Sequence, residues 1–251
     1  GLPSALDFSF QTKSLSFISG GAASNIGDVF NQDNLFVAKD KSPYNLVTFL
    51  GNHDKGRAAY LLNQSGSTRS QSVLLGHDLM FLTRGIPSVY YGDEVGMIGT
   101  GGDKAARQDM FPTQVSWWRS EDRVFGGSIG TGSSLGITTP LTSRITLLNS
   151  LRKAHPALAS GSQTIRLSDG NCLVVSRFDA QSKTEYVVAF NSANAARTVT
   201  ISTATPLTSW QALIGSASPT SNASGEISIS IPARSTLVLK ANGPIPQADE
   251  N

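Results

Sequence analysis

The hydrophobic pattern divides the chain into an earlier and a later part, with a change in pattern near Gly161. Before this residue, short apolar runs alternate with segments of helical periodicity. The runs that we predict as buried parallel strands cover residues 5–8, 45–50 and 88–91. Successive strand and helix units of this kind predict a parallel sheet or barrel.

Two helices are predicted in this first part. The first covers residues 70–84 and ends at Gly85 and Pro87, and the second ends before Pro156. One apolar face of the first helix carries Leu75, Leu79 and Leu82. In the second helix, the shared apolar face carries Ile145, Leu148 and Leu151. Between the helices, residues 92–142 form a long glycine-rich connection, and loops of this length are commonly functional or disordered.

The later part contains only short alternating or β-branched runs, which predict an antiparallel β-sandwich. These runs are residues 172–178, 185–191, 198–202, 209–214, 226–231 and 236–239. The predicted organisation is therefore an α/β region at 1–160, an all-β region at 161–242 and a tail or linker at 243–251.

Composition excludes several classes of function. The net charge is only +2 and the sequence has no basic run interleaved with aromatic residues, so we expect no nucleic-acid partner. No apolar run is long enough to span a bilayer, so we expect no membrane partner. Charged residues make up 15% of the chain, which favours a secreted, extracellular protein. Residues 1–4 do not resemble a signal peptide, so either targeting was removed or the true N-terminus lies elsewhere. The single cysteine, Cys172, lies in an apolar run and is predicted to be a buried thiol without chemistry.

The first segment with candidate chemistry is an apolar run that ends on His53 and Asp54. In a parallel barrel, the carboxyl ends of the strands face the active site, which would place both side chains at its mouth. Equally, Asp54 could be the N-cap of a helix that begins near Lys55. A second His-Asp pair, His77 and Asp78, falls inside a predicted helix, and we assign it no role.

The second segment, residues 83–94, contains a helix end, a turn and a strand, followed by two acids. Asp93 and Glu94 could act as general acid and base. However, adjacent acids beside a glycine turn more often accept hydrogen bonds from the loop backbone, and we favour that interpretation.

Residues 49–54 (FLGNHD), followed about forty residues later by 85–94 (GIPSVYYGDE), resemble the α-amylase superfamily, glycoside hydrolase family thirteen. The resemblance implies a partial (β/α)8 TIM barrel. Residues 2–8 would match its strand six, and the two motifs would match strands seven and eight. Residues 1–160 would then be the C-terminal part of the catalytic domain. The following all-β region is similar to the family's antiparallel Greek-key β-sandwich.

The resemblance also implies roles for individual residues. Asp54 matches the family's third catalytic carboxylate, which stabilises an oxocarbenium-like transition state, and His53 matches the neighbouring stabilising histidine. Gly51 departs slightly from the family pattern, which has Asp or a small residue there. His53, Asn52, Arg57 and Arg107 are predicted to bind substrate, with Gln108 and Asp109 as further candidates. Tyr90, Tyr91, Trp117 and Trp118 could stack on sugars, although the two tyrosines are better explained as packing on opposite sides of a strand.

The family's nucleophile and acid/base residues match no segment of this chain. Retaining glycoside hydrolysis needs two carboxyl groups about 5 Å apart, so we expect the isolated chain to be inactive. Asp7 is not expected to substitute for either and is interpreted as structural. We predict no metal or cofactor in this chain, and calcium is possible only in a full-length enzyme, because the family's usual calcium loop lies upstream.

Three functions remain open at this point. The leading one is a hydrolase or transglycosylase that acts on α-glucans such as starch, glycogen, pullulan or cyclodextrins. The second is a non-catalytic carbohydrate-binding or structural module, and the third is a different enzyme with Asp54 and Glu94 as its acid/base pair. The expected partners are an α-glucan and either the N-terminal half of the barrel or a second copy of the chain, since three strands leave two open sheet edges.

Overall fold

A computed structural model describes residues 4–37 and 42–246. Its α-helices are α1 (Phe8–Ile18), α2 (Ala23–Asn31), α3 (Ala58–Leu61), α4 (Gly66–Leu82), α5 (Ser116–Arg119), α6 (Pro140–Ala154) and α7 (Pro156–Ser160). Short 3-10 helices cover Asp33–Phe36, Pro43–Asn45 and Asp103–Ala106. The strands are β1 (Val47–Thr48), β2 (Ile86–Pro87), β3 (Ser162–Asp169), β4 (Cys172–Asp179), β5 (Thr184–Asn191), β6 (Arg197–Ser202), β7 (Trp210–Ile214), β8 (Glu226–Ile231) and β9 (Ser235–Ala241).

Three short extended segments lie side by side and parallel in the first part of the chain. Leu6 forms a parallel bridge with Val47, and β1 pairs in parallel with β2. Their order in space is their order in sequence, as predicted. The strands are shorter than predicted, and β2 lies at Ile86–Pro87 rather than at 88–91. The assignment of these segments to strands six to eight of a barrel stays a prediction.

Asp7 explains why the first strand is so short. Its carboxylate accepts a hydrogen bond from the backbone amide of Phe10 at 2.8 Å and thereby caps α1. The same carboxylate forms an ion pair with the buried Arg84 at 2.6 Å, and Arg84 also pairs with Asp33 at 2.7 Å. Asp7 thus has the structural role that the sequence indicated, since it connects α1 to the end of α4.

The two predicted helices are present with shifted bounds. α4 begins four residues before the predicted start and ends at Leu82. α6 begins with a capping box, in which the Thr139 hydroxyl accepts from the Thr142 amide at 3.1 Å and the Thr142 hydroxyl accepts from the Thr139 amide at 2.7 Å. None of the helices described is long and apolar enough to cross a membrane.

The last part of the chain is mostly β-sheet. A five-stranded antiparallel sheet has the order β3-β4-β5-β9-β7, and β6 pairs with β8 in a separate two-stranded sheet. The six predicted strands are all present, with bounds that agree within about two residues. β3 was missed, because its sequence SQTIRLSD carries polar residues on both faces and no residue in it is fully buried.

The five-stranded sheet packs on both of its faces. On one face, Val175, Val188 and Val238 join a core with residues of the helices. On the other face, Val174, Val187 and Leu239 pack against isoleucines of β6 and β8. Cys172 lies buried in this second core, and burial raises the pKa of its thiol to about 11, as expected for an inert cysteine. The helical part and the sheet therefore share a continuous core, and the predicted boundary near residue 160 stays a prediction.

Candidate active site

A tight turn follows β1 and carries the residues predicted to perform chemistry. The backbone amide of Asn52 donates to the carbonyl of Gly56 at 3.0 Å, and the reverse bond measures 2.9 Å. The side-chain oxygen of Asn52 accepts from the amides of Asp54 and Lys55 at 3.0 and 2.8 Å. Asn52 therefore shapes the turn, and its side-chain oxygen is already used by the backbone. Helix α3 begins only at Ala58, so the alternative that Asp54 caps a helix near Lys55 is wrong.

Glycine is needed at two points of this turn. A Cβ atom on Gly51 would lie 2.5 Å from the Gly56 carbonyl oxygen and 2.7 Å from the Ala58 amide nitrogen. Gly56 has a φ of +110°, which disfavours other residues. The close approach of the backbone explains why this chain carries glycine at 51, where the family pattern also allows Asp.

The turn presents an exposed cluster, which consists of His53, Asp54, Asp103 and Arg107. His53 Nε2 lies 3.4 Å from Asp54 Oδ1, and the two side chains are 62% and 68% exposed. Arg107 Nη2 lies 3.7 Å from the same Asp54 oxygen and 2.9 Å from Asp103 Oδ1. Arg107 also donates to the His53 carbonyl at 3.2 Å. The structure thus brings together Asp54, His53 and Arg107, in a position where a ligand can reach all three.

Arg57 has a different environment from the one predicted. Its side chain is fully buried, and Nη1 forms an ion pair with Asp93 at 2.9 Å and donates to the Tyr91 carbonyl. Nε donates to Gln108 Oε1 at 2.6 Å, and the guanidinium carbon lies 4.9 Å from the centre of the Tyr90 ring. Because no part of Arg57 is accessible, this burial argues against the predicted sugar contact and favours a role in holding the surrounding loops.

The two acids after β2 also face the protein. Burial raises the pKa of Asp93 to about 6, and the neighbouring Arg57 limits the rise. The Glu94 carboxylate accepts from the Gly92 amide at 2.7 Å. The loop-holding interpretation favoured from the sequence is confirmed, and the idea that Glu94 forms an acid/base pair with Asp54 gains no support.

The long loop between β2 and α6 is fastened to the turn by a fully buried residue, Gln108. Its Oε1 accepts from Arg57, and its amide nitrogen donates to the Glu121 carboxylate. Glu121 in turn accepts from the amides of Gly99 and Thr100 at 3.2 and 2.6 Å. The prediction of Gln108 as a sugar contact therefore disagrees with its burial. The role of Glu121 was missed, and no local pattern in the sequence signals it.

The aromatic candidates are only partly available to a ligand. Tyr91 is 44% and Trp117 is 51% exposed, whereas Tyr90 and Trp118 are partly buried. Burial raises the pKa of Tyr90 to about 12. The two tyrosine rings contact each other with centres 4.7 Å apart, so the prediction that they flank a strand on opposite sides is wrong. Both lie beyond β2, which ends at Pro87.

Within residues 4–37 and 42–246, no group of three or more His, Cys, Asp or Glu side chains could hold a metal ion. Calcium in a longer protein stays a prediction.

Comparisons with known proteins point to one family. The family model for the α-amylase catalytic domain matches residues 3–124. An α-amylase of Streptomyces lividans is 40% identical over 251 aligned residues, which cover 96% of this chain and 27% of that protein. Among solved structures, an Anoxybacillus α-amylase has a TM-score of 0.74 at 20% identity, covering 99% of this chain and 48% of its own. An α-amylase of Geobacillus thermoleovorans, solved with acarbose, has a TM-score of 0.75 at 18% identity, covering 97% and 49%.

This chain shares its fold with the two solved enzymes, and nearly all of it aligns with the Streptomyces relative. It belongs to the α-amylase superfamily, as its two motifs indicated. The chain spans about a quarter of the length of the Streptomyces relative and about half of the length of the two solved relatives.

Proposed function

We propose that this chain contributes to the catalytic cleft of a retaining glycoside hydrolase that acts on α-glucans, with Asp54 as the carboxylate that stabilises the transition state. The observation that carries this proposal is the exposed Asp54 side chain, 3.4 Å from His53 and 3.7 Å from Arg107, in the turn that Asn52 and Gly56 close after β1. The names of the relatives agree with the substrate class, since they include α-amylases, cyclomaltodextrin glucanotransferases and structures with acarbose or maltose.

The physical reason lies in the charge that develops during glycoside cleavage. The sugar ring acquires positive, oxocarbenium-like character in the transition state, and a fixed carboxylate stabilises that charge more strongly than it stabilises the ground state. The Asn52 side chain holds the backbone of Asp54, and Arg107 lies beside its carboxylate. Binding of a sugar would exclude water from this exposed cluster and strengthen the interaction.

We also propose that the nucleophile and the general acid/base are not supplied by residues 1–251. The buried carboxylates beside the parallel strands already have partners: Asp7 pairs with Arg84, and Asp93 pairs with Arg57. Neither is presented to a ligand as Asp54 is. In the exposed cluster, Asp103 is paired with Arg107 at 2.9 Å. Asp54 alone cannot both attack the anomeric carbon and protonate the leaving oxygen.

The test is a comparison of Asp54→Asn with Asp28→Asn in the complete gene product. Asp28 is an exposed carboxylate on α2 and serves as the matched control. Turnover of starch and of a chromogenic maltooligosaccharide should fall by orders of magnitude in the first variant only. The same assays on purified residues 1–251 should show no turnover. An unchanged kcat in Asp54→Asn, or robust turnover by the isolated chain, would contradict the proposal.

The parallel strands support a proposal about partners. Leu6 and Ile86 lie at the two edges of the three-segment sheet and are 52% and 49% exposed. Among residues 4–37 and 42–246, neither edge pairs with a further strand. Apolar strand edges without a neighbour recruit further strands, so we propose that they pair with the remaining part of a barrel or with a second copy of the chain. Light scattering of purified residues 1–251 should detect association, and a stable monomer at micromolar concentration would count against it.

We further propose that the protein is extracellular, which the low content of charged residues supports. Fractionation of the native producing cells should place the protein in the medium. Recovery in the cytosol alone would contradict this.

A further inference from the structure

A hydrogen-bond network, buried except for the partly exposed Glu121, connects the turn after β1 to the long loop between β2 and α6. It consists of Asp93, Arg57, Gln108 and Glu121. We propose that Gln108 is a positioning residue, which holds Arg107 beside Asp54 through its bonds to Arg57 and Glu121. The inference rests on the proposed function, because it concerns the same exposed cluster.

The chemistry of a glutamine side chain fits this position. Gln108 lies between a cation and an anion, since Arg57 Nε donates to its oxygen at 2.6 Å and its nitrogen donates to the Glu121 carboxylate. A primary amide supplies an acceptor and a donor at the same end of the side chain, whereas a carboxylate supplies acceptors only. A buried group that loses one of these partners would carry the cost of an unmade hydrogen bond.

The connection to the exposed cluster is covalent and short. Arg107 precedes Gln108, and consecutive Cα atoms are about 3.8 Å apart, so holding one residue restrains the backbone of the other. Gln108 is fully buried, whereas Arg107 is 48% exposed and reaches Asp54 Oδ1 at 3.7 Å and the His53 carbonyl at 3.2 Å. The buried residue therefore cannot touch a sugar itself and acts on the site only through its neighbour.

Both ends of the network are anchored to separate parts of the fold. At one end, Arg57 follows the turn that carries Asp54. It forms an ion pair with Asp93, which lies beyond β2 in the chain. Glu121 accepts from the amides of Gly99 and Thr100, and so closes the loop segment that leads to Arg107. Gln108 forms a hydrogen bond with each of these two residues, Arg57 and Glu121.

The experiment exchanges the charges within the network. Gln108→Glu places two carboxylates against each other, and the double variant Gln108→Glu with Glu121→Gln restores one donor facing one acceptor. Hydrogen exchange of residues 101–109, measured in the complete gene product, should be faster in Gln108→Glu and should return close to the wild-type rate in the double variant. The Gly99 and Thr100 amides are left out of the comparison, because Glu121→Gln removes one of the two carboxylate oxygens that accept from them. If Gln108→Glu does not fold, Gln108→Met replaces it, because methionine keeps the length of the side chain and removes both bonds.

Activity supplies a second measurement that a merely structural role would not affect. Arg107→Ala should lower kcat/KM by about tenfold in the wild-type background, the size expected for one lost hydrogen bond to a charged group. In the Gln108→Glu background the same change should cost less than about twofold, since Arg107 is already displaced. Val187→Ala, in the core of the β-sheet, is the control, because it should lower stability and leave the full Arg107 effect in place.

Each outcome decides the proposal. Faster exchange that is rescued by the double variant, together with loss of the Arg107 effect, supports it. Unchanged exchange at residues 101–109, or additive effects of Arg107→Ala and Gln108→Glu, overturns it. A wild-type gene product without glycosidase activity refutes the proposed function, while the exchange data still decide whether Gln108 positions the loop.

Discussion

The chain contains two His-Asp pairs, and they lie in contrasting environments. His53 and Asp54 occupy the turn after β1, with side chains 62% and 68% exposed. His77 and Asp78 lie inside α4 and are both buried. There, Asp78 binds Arg144 of α6 through two hydrogen bonds of 2.6 and 2.7 Å, and His77 Nδ1 bonds the Val73 carbonyl at 2.8 Å.

The same dipeptide therefore serves two purposes. In α4, burial lowers the pKa of His77 and so keeps the ring neutral, while Asp78 fastens one helix to the next. In the turn, Asp54 faces solvent beside Arg107, and little of the fold depends on it. A carboxylate that is held in place by its backbone, and that forms no buried ion pair in the core, is free to act on a ligand.

The largest expected effect is on catalysis. In the complete gene product, Asp54→Asn should lower kcat by about a thousandfold, because a preorganised charge at the developing cation is lost. The free energy of unfolding should change by less than about 0.5 kcal/mol, since the side chain is exposed. Steady-state kinetics and urea unfolding of the same preparation measure both. A large loss of stability would show that Asp54 supports the fold as Asp78 does.

Asp78→Asn should produce the opposite profile. Breaking a buried ion pair leaves Arg144 without its carboxylate, so we expect a loss of about 3 kcal/mol in the free energy of unfolding. The kcat of the molecules that remain folded should stay within about twofold of the wild type. Denaturant unfolding followed by circular dichroism gives the first value and activity per folded molecule the second. A loss below about 1 kcal/mol would mean that the buried pair contributes no more than an exposed one.

The buried Asp93 behind the turn should make stability depend on pH. Its folded pKa of about 6 is raised above the ordinary value of 3.8, so the folded state favours the protonated acid. Asp93 therefore adds to the free energy of unfolding below about pH 4. This contribution, at most about 3 kcal/mol, is lost as the pH rises to about 6. The charged and titratable groups around it are Arg57, Glu94 and Tyr90.

Asp93→Asn provides the control for that measurement. The difference in unfolding free energy between wild type and variant should fall between pH 4 and pH 6 and become constant above about pH 7. A difference that is independent of pH over this range would show that Asp93 keeps an ordinary pKa.

The smallest effect is expected at the edge of the exposed cluster. Asp103 pairs with Arg107 at 2.9 Å, and both side chains are about half exposed, at 57% and 48%. Asp103→Asn should change the free energy of unfolding by less than about 0.5 kcal/mol, because exposed ion pairs contribute little. Thermal unfolding at low and at moderate ionic strength tests this. A loss comparable with that of Asp78→Asn would remove the contrast between the two regions.

Local patterns along the chain were enough to predict several strands and the family. Alternating apolar residues predicted β4, β5 and β8 within about two residues, because each of these strands buries at least one regular face. The apolar run ending on His53 and Asp54, with the second motif that follows it, was enough to predict the family and the exposed carboxylate. These features depend on residues that are close together along the chain.

The burial of polar residues, in contrast, became visible only in the folded chain. Arg57 and Gln108 are 51 positions apart, and Gln108 lies 13 positions from Glu121, so no periodic pattern connects them. The same holds for Asp78 and Arg144, which are 66 positions apart. In the sequence, an arginine or a glutamine of a polar segment has the same surroundings whether its side chain is exposed to solvent or buried beside a charged partner. Its role depends on the charged groups that folding brings within hydrogen-bond distance. These contacts matter because a charge that is buried without a partner is costly.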